Sequence, residues 1–230
     1  NGIDVTGLTL SNSALSGLGN APDEDGLHFH NMLGTNSITN TTIASSGDDN
    51  VNIQNLVATA STINITGGSF NNGVQGSGLL FGIRGTSNTT INISGVTLDN
   101  NFSGGIVADS FDTATMKLDV TGITDLNNND GIQVSGHNGS AQFDIHDNIA
   151  GAAGISNNDF VGITILKSAF SNAGTLEGQI NNTEVVIPNE RPADAVFVFA
   201  AGGSNTRTNI TNNTILYRGT QRAIVMQGGQ

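Results

Sequence analysis

The sequence contains no cysteine and no tryptophan, and it has only one tyrosine and three prolines. The lack of cysteine excludes disulfide bonds and thiolate metal sites. Charge is also scarce: 11% of the residues are charged, less than half the share of about 25% in ordinary globular proteins. Only seven residues are Lys or Arg and the net charge is −12. Because a nucleic-acid backbone would repel such a chain, we expect no nucleic-acid partner.

Long apolar runs are missing as well, so we expect no membrane-spanning segment. Gly, Asn, Ser and Thr together make up roughly 46% of the chain, a composition that disfavours long helices. Regularly spaced Ile, Val, Leu and Phe residues argue against disorder. The combination therefore points to an all-β chain with many tight turns.

A short segment of alternating apolar residues recurs about every 28 residues, which is the signature of stacked repeats. The copies are Gly26–Phe29, Asn50–Ile53, Gly78–Phe81, Gly105–Ala108, Gly131–Val134, Gly162–Ile165, Ala195–Val198 and Ala223–Met226. A second segment follows in each repeat, as in Ile91–Gly95 and Leu118–Gly122, and a third short one comes after it, as in Val96–Leu98. Three short strands per repeat, each with period two, predict a right-handed parallel β-helix of about seven coils.

Asparagine pairs such as Asn71-Asn72 and Asn100-Asn101 fall between the repeats, where their tolerance of left-handed backbone suits sharp bends. Residues 1–230 are interpreted as a single β-helix segment of a longer protein. Longer loops are expected near residues 16–25, 151–160 and 181–194.

Acidic residues cluster before two consecutive first strands, in Asp23-Glu24-Asp25-Gly26 and in Gly47-Asp48-Asp49. Because one coil separates them, Asp25 is expected to lie beside Asp48 or Asp49. Clustered carboxylates suit general acid–base catalysis or a hard cation, so Asp23, Glu24 and Asp25 form a candidate calcium site. The other interpretation is that these aspartates only form turns.

The pair Asp25-Gly26 and Gly47-Asp48-Asp49 resembles the Asn-Thr-Asp-Gly and Gly-Asp-Asp motifs of polygalacturonase-type glycoside hydrolases, which have the pectate-lyase-like β-helix fold. The resemblance implies that Asp25, Asp48 and Asp49 would hydrolyse a glycosidic bond with inversion. It covers about two coils. The next motif of that family, Gly-His-Gly, is replaced here by Gly76-Ser77-Gly78, and its basic substrate clamp would fall on Val107 and Asp109.

Two histidines flank Phe29, and if Leu27 and Phe29 point inward then His28 and His30 both point outward. Such a pair could bind a transition metal with Asp48 or Asp49, or contact a sugar, or simply face solvent. His137 and His146 have no evident partner. The predicted sugar-binding residues on this outward surface are His28, His30, Asn52, Gln54 and Arg84.

The later coils place large apolar residues at outward positions of the first strand: Leu166, Phe197, Phe199 and Val225. Such a patch predicts self-association, or a loop that covers it, or a shifted register.

Composition and repeats resemble those of large bacterial secreted β-solenoid proteins. The leading hypothesis is a non-catalytic extracellular rod, a segment of a cell-surface adhesin or a similar secreted protein, whose partner is a polysaccharide or a cell-surface glycan. The alternatives are a carbohydrate-active enzyme that acts at Asp25, Asp48 and Asp49, and a fragment similar to a phage tailspike. No cofactor other than calcium is expected.

Overall fold

The computed structural model describes residues 2–18, 21–56, 58, 60–148, 155–156, 158, 161–168, 173–187, 193–201, 205–217 and 221–228. These residues form 22 β-strands and no α-helix, and every strand pairing among them is parallel. None of the described segments is a helix capable of crossing a bilayer.

The strands lie on three faces, and the chain turns at a corner between each face and the next. Face 1 consists of β1 (Gly2–Thr6), the start of β4 (Leu27–Ala44), β5 (Val51–Asn55), β7 (Leu79–Ile83), β10 (Gly104–Ser110), β13 (Asp130–Gly136), β16 (Val161–Lys167), β19 (Asp194–Ala200) and β22 (Ile224–Gly228). Face 2 consists of β2 (Thr9–Ser11), the middle of β4, the start of β6 (Ala60–Asn71), β8 (Asn88–Ser94), β11 (Thr115–Thr121), β14 (Ser140–His146), β17 (Thr175–Asn181) and β20 (Asn205–Thr211). Face 3 consists of β3 (Ala14–Ser16), the ends of β4 and β6, β9 (Thr97–Asp99), β12 (Thr124–Leu126), β15 (Ile155–Ser156), β18 (Glu184–Ile187) and β21 (Thr214–Tyr217).

Each strand pairs with its equivalent in the next coil, so the coils stack into a β-solenoid of about seven turns with roughly 28-residue spacing. The predicted parallel β-helix with three short strands per coil is confirmed. On face 1 the register runs from His28 to Asn52, then to Leu80 and Val107. Side chains at equivalent positions therefore stack in columns along the rod.

The inward columns form a continuous apolar core, because alternate residues of every strand point to the same side. On face 1 the column of Phe29, Ile53, Phe81, Ala108 and Val134 is almost completely buried. No single coil could bury these side chains alone, so the stability of one coil depends on its neighbours.

Asparagines close the coils in two ways. Asn72, Asn100 and Asn127 follow the face 3 strands with φ of 58°, 56° and 54°, which asparagine tolerates better than most residues. The next residues, Asn101 and Asn128, point inward and are buried. The Asn128 Oδ1 atom accepts hydrogen bonds from the backbone N–H and the side-chain amide of Asn101, at 2.7 and 3.0 Å. Buried amides thus pair backbone groups that the strand ladders leave free.

Two of the segments predicted to carry longer loops also contain short strands. The segment 151–160 contains β15, and the segment 181–194 contains β18, and both strands pair within face 3. β15 has only two residues, Ile155 and Ser156, which is too few to show an alternation in the sequence. Within these two segments, residues 151–154, 157, 159–160 and 188–192 lie outside the described residues, as do residues 19–20 of the predicted loop 16–25.

We expect Asn128→Ala to lower the free energy of unfolding by about 2–3 kcal/mol, because it leaves the buried N–H of Asn101 without an acceptor. The control is Asn92→Ala, which removes the hydrogen bond from the Asn92 amide to Asn64 Oδ1 in the neighbouring coil. Because this bond is half-exposed, water can replace it, and the free energy of unfolding should fall by less than about 1 kcal/mol. Urea denaturation followed by circular dichroism measures both values. Equal losses would contradict the role of the buried amide.

Candidate functional site

The predicted acidic residues come together at one end of the face 1 surface. Asp25 lies two residues before β4, and Asp48 and Asp49 lie just before β5, which pairs with β4. One carboxylate oxygen from each of the three lies within 4.8 Å of the others. The sequence therefore predicted this cluster correctly from the one-coil spacing.

A chain of hydrogen bonds leads from this cluster to the two histidines. The Nδ1 atom of His28 lies 2.6 Å from Asp25 Oδ2, and its Nε2 atom lies 3.0 Å from the Nε2 atom of His30. Because an ionised carboxylate only accepts, His28 donates from Nδ1. A proton can therefore be shared between the two Nε2 atoms, and His28 and His30 both point outward, as predicted.

Two amides complete the cluster. The Asn52 Nδ2 atom donates to Asp25 Oδ2 at 3.2 Å and to Asp49 Oδ2 at 3.3 Å. The Gln54 amide donates to Asn52 Oδ1 at 2.9 Å, which orients the Asn52 amide toward the carboxylates. Asn52 and Gln54 thus belong to the same polar network as the acids.

Burial changes the acidity of two of the carboxyl groups. Desolvation raises the pKa of Asp49 to about 7; the hydrogen bond from the Ser77 N–H opposes the rise, and the negative charges of Asp48 and Asp25 add to it. Partial burial and the charges of Asp25 and Asp23 also raise the pKa of Asp48. Asp49 therefore keeps its proton to a higher pH than an exposed carboxyl group does.

Asp25 and Asp49 also have a structural function that recurs along the rod. Each occupies the coil position just before the first strand, and its Oδ1 atom accepts the backbone N–H at the same position one coil later. Asp25 accepts from Asp49 at 3.1 Å, Asp49 from Ser77 at 2.6 Å, and Asp194 from Arg222 at 2.9 Å. A fourth aspartate, Asp130, occupies the same position, but its Oδ1 atom is buried and has no hydrogen-bond partner among the described residues. One oxygen of Asp25, Asp49 and Asp194 thus joins consecutive coils.

Other predicted site residues lie elsewhere. Asp23 and Glu24 are exposed and lie outside the three-carboxylate group, and Glu24 Oε2 accepts the N–H of Ala21 at 3.0 Å. Arg84 is also exposed, and its guanidinium carbon lies 3.9 Å from the centre of the Phe111 ring. The group that could hold a cation on face 1 is therefore Asp25, Asp48 and Asp49.

The predicted apolar patch has the expected register, because Phe197 pairs with Thr164 and Phe199 with Leu166. A shifted register is therefore excluded. Leu166, Phe197 and Phe199 are half-buried, and the two phenylalanine rings are parallel with centres 6.3 Å apart. Val225 pairs with Phe197, as predicted, but it is only 6% exposed and therefore offers little surface to a partner. Self-association through these residues stays a prediction, as does the trimer of a tailspike-like fragment, and a measurement of mass in solution tests both.

The sequence interpretation missed the partners of the two later histidines. His137 stacks on Phe111 with ring centres 4.3 Å apart, and its Nε2 atom lies 3.7 Å from Asp109. His146 lies between Asp147 and Asp119 on face 2. Alignment of the repeats by coil position would have placed these residues side by side.

Comparison with known proteins adds no relative. Neither the protein-family models, nor the curated proteins, nor the solved structures include a match to this chain. The resemblance to polygalacturonase-type hydrolases therefore rests on the two motifs alone.

Stability is expected to fall as the pH rises from about 4 to about 7. The pKa of Asp49 and that of Asp125, which is fully buried, are both raised to about 7 from an unfolded value of 3.8. Between these values the folded chain holds protons that the unfolded chain has lost, so ionisation opposes folding. Above pH 7 the effect of these two groups is complete.

Asp125→Asn and Asp49→Asn should each reduce the loss of stability between about pH 4 and pH 7, by up to about 1.4 kcal/mol per pH unit. Urea unfolding at several pH values measures it, with Asp112→Asn, at an exposed turn, as the control. A decline of unchanged slope in both variants would show that neither carboxyl group is the cause.

Proposed function

We propose that the chain is a non-catalytic extracellular β-helical rod, a segment of a surface adhesin or a similar secreted protein. The observation that carries the proposal is the recurrent bond from an aspartate to the next coil at Asp25, Asp49 and Asp194. Two of the three acids that resemble catalytic residues thus make the same bond as Asp194, which lies in a coil without such a cluster. The bonds that join consecutive coils therefore explain the presence of Asp25 and Asp49.

The composition supports the same proposal. Nineteen acidic residues against seven basic ones give the chain a net charge of −12, which keeps an elongated molecule soluble. The absence of cysteine is compatible with an oxidising exterior. The polar surface formed by His28, His30, Asn52 and Gln54 offers donors and acceptors to a glycan, and the negative charge favours neutral or amino sugars over polyuronides.

A glycoside hydrolase is the second candidate, and one observation favours it. The bonds from Asp25 and Asp49 to the next coil use their Oδ1 atoms, whereas the Oδ2 atom of Asp25 is bonded to His28, which in turn contacts His30. Such a chain could relay a proton, and Asp49, with a pKa of about 7, could donate one to a leaving group. Neither Asp130 nor Asp194 has a comparable pair of histidines at its coil position.

A reducing-end release assay distinguishes the two candidates. The chain is incubated with polyuronides and with neutral and amino-sugar polysaccharides, with and without calcium. We expect no release from any substrate, because the carboxylates of Asp25 and Asp49 are already hydrogen-bonded to the backbone of the next coil.

Two matched variants make the assay decisive. Asp49→Asn keeps an oxygen that accepts the Ser77 N–H, so the coil bond survives while the acid is lost. Asp130→Asn makes the same change at an equivalent position in a coil without the histidine pair. Release that Asp49→Asn abolishes and Asp130→Asn preserves would establish the hydrolase and overturn the proposed rod. Release that survives both changes would contradict both candidates.

A further inference from the structure

A groove runs over the outward surface of face 2, on the side of the molecule that no sequence motif singled out. Its larger part has a volume of about 370 Å³ and is lined by residues of β14, β17 and β20, including Asp144, Gln179 and Arg207. A second part of about 260 Å³ continues over β11 and shares Gln142, Phe143 and Asp144 with the first. Asp144 thus lies where the two parts meet.

Three potential metal ligands converge at this point. Asp119 on β11 pairs directly with Asp144 on β14, and His146 follows two residues later on the same outward side. One donor atom from each of the three lies within 4.8 Å of the others. Two carboxylates at adjacent positions of neighbouring strands repel each other, and a cation between them removes that repulsion.

The histidine is held in the orientation that a metal ligand requires. Its Nδ1 atom lies 2.9 Å from Asp147 Oδ2, and its Nε2 atom faces Asp119 Oδ1 at 3.5 Å. Asp147 is held in turn by the Asn182 amide, at 2.5 Å from its Oδ1 atom. Because the carboxylate can only accept, the imidazole donates from Nδ1 and presents Nε2 to Asp119. A carboxylate that fixes the far nitrogen is the usual outer-shell partner of a metal-bound histidine.

The carboxylates also retain capacity to bind a cation. Gln179 donates to Asp144 Oδ2 at 3.0 Å, whereas Asp144 Oδ1 is shielded from solvent and has no hydrogen-bond partner among the described residues. The face 1 cluster differs, because Asp25 and Asp49 each already accept a backbone N–H and an amide hydrogen bond.

We propose that Asp119, Asp144 and His146 bind a divalent transition-metal ion of the zinc type at the wall of the face 2 groove. Two ligands at about 2.1 Å from a tetrahedral ion are themselves about 3.4 Å apart, close to the observed separation of Asp119 Oδ1 and His146 Nε2, 3.5 Å. An imidazole ligand favours such an ion over calcium, which prefers oxygen donors. Water completes the coordination from the groove side.

Titration calorimetry of the whole chain with zinc chloride tests the proposal. The hydrogen bond to Asp147 raises the pKa of His146, with smaller contributions from Asp144 and Asp119; the titration is therefore run at pH 8, where protons compete less. We expect one zinc ion per chain, and His146→Gln should weaken its binding at least about tenfold. No binding, or equal affinity in His146→Gln, would overturn the site.

The face 1 cluster supplies the matched control. His30→Gln removes the histidine that contacts His28, which in turn lies against Asp25, but it leaves face 2 intact, so it should not change zinc affinity. Affinity that falls in His30→Gln and not in His146→Gln would place the ion on face 1 and refute the proposal. Calcium that displaces zinc at equal concentration would show that the imidazole is not a ligand, and would also refute it.

A third variant tests whether Asp147 orients the His146 ring rather than stabilising the fold. In Asp147→Asn the new amide can donate to His146 Nδ1, which moves the ring proton to Nε2 and blocks the metal-binding nitrogen. We expect long-range ¹H–¹⁵N spectra to report the changed tautomer and zinc affinity to fall about tenfold, with the circular dichroism spectrum unchanged. A changed tautomer with undiminished affinity would exclude Nε2 as the ligand.

Discussion

The structure depends on the backbone hydrogen bond between one coil and the next. On the three faces the parallel strands provide it, and at the corners the strands end and leave N–H groups inside the rod. Side chains then take over as acceptors: buried asparagine amides at Asn128 and Asn158, and aspartate carboxylates at Asp25 and Asp49. The high content of asparagine and the distribution of aspartate both follow from this requirement.

A carboxylate has two oxygens, and in this rod they have separate functions. One oxygen of Asp49 joins its coil to the next, and the other contacts the polar surface residue Asn52. A motif that resembles a catalytic site can therefore be retained for the fold alone. Sequence resemblance cannot separate the two functions, because it does not distinguish the oxygens. The contacts of each oxygen, compared among equivalent coils, do separate them.

The sequence predicted the fold well because strand alternation and repeat length are local properties. The same periodicity placed Asp25, Asp48, Asp49 and the two histidines on one surface. It did not reveal the face 2 cluster, because that required comparing the outward residues of two segments rather than their apolar ones. Nor did it reveal Lys167, whose buried ammonium group donates to the carbonyl oxygens of His137 and Ala173 at 2.7 and 2.8 Å. Its partners lie in turns whose positions relative to the strands no periodicity fixes.

The burial of Asp125 affects the junction between neighbouring coils. It occupies an inward position of β12, where its neighbours in the column are Leu98 and Ile155, and one of its oxygens has no hydrogen-bond partner among the described residues. In a stack where each coil contacts only its neighbours, a change at one junction acts mainly on that junction. Burial raises the pKa of Asp125 to about 7, so loss of its proton in alkaline surroundings places a charge among apolar neighbours. The junction between these coils is therefore expected to be weaker in alkaline than in acidic surroundings.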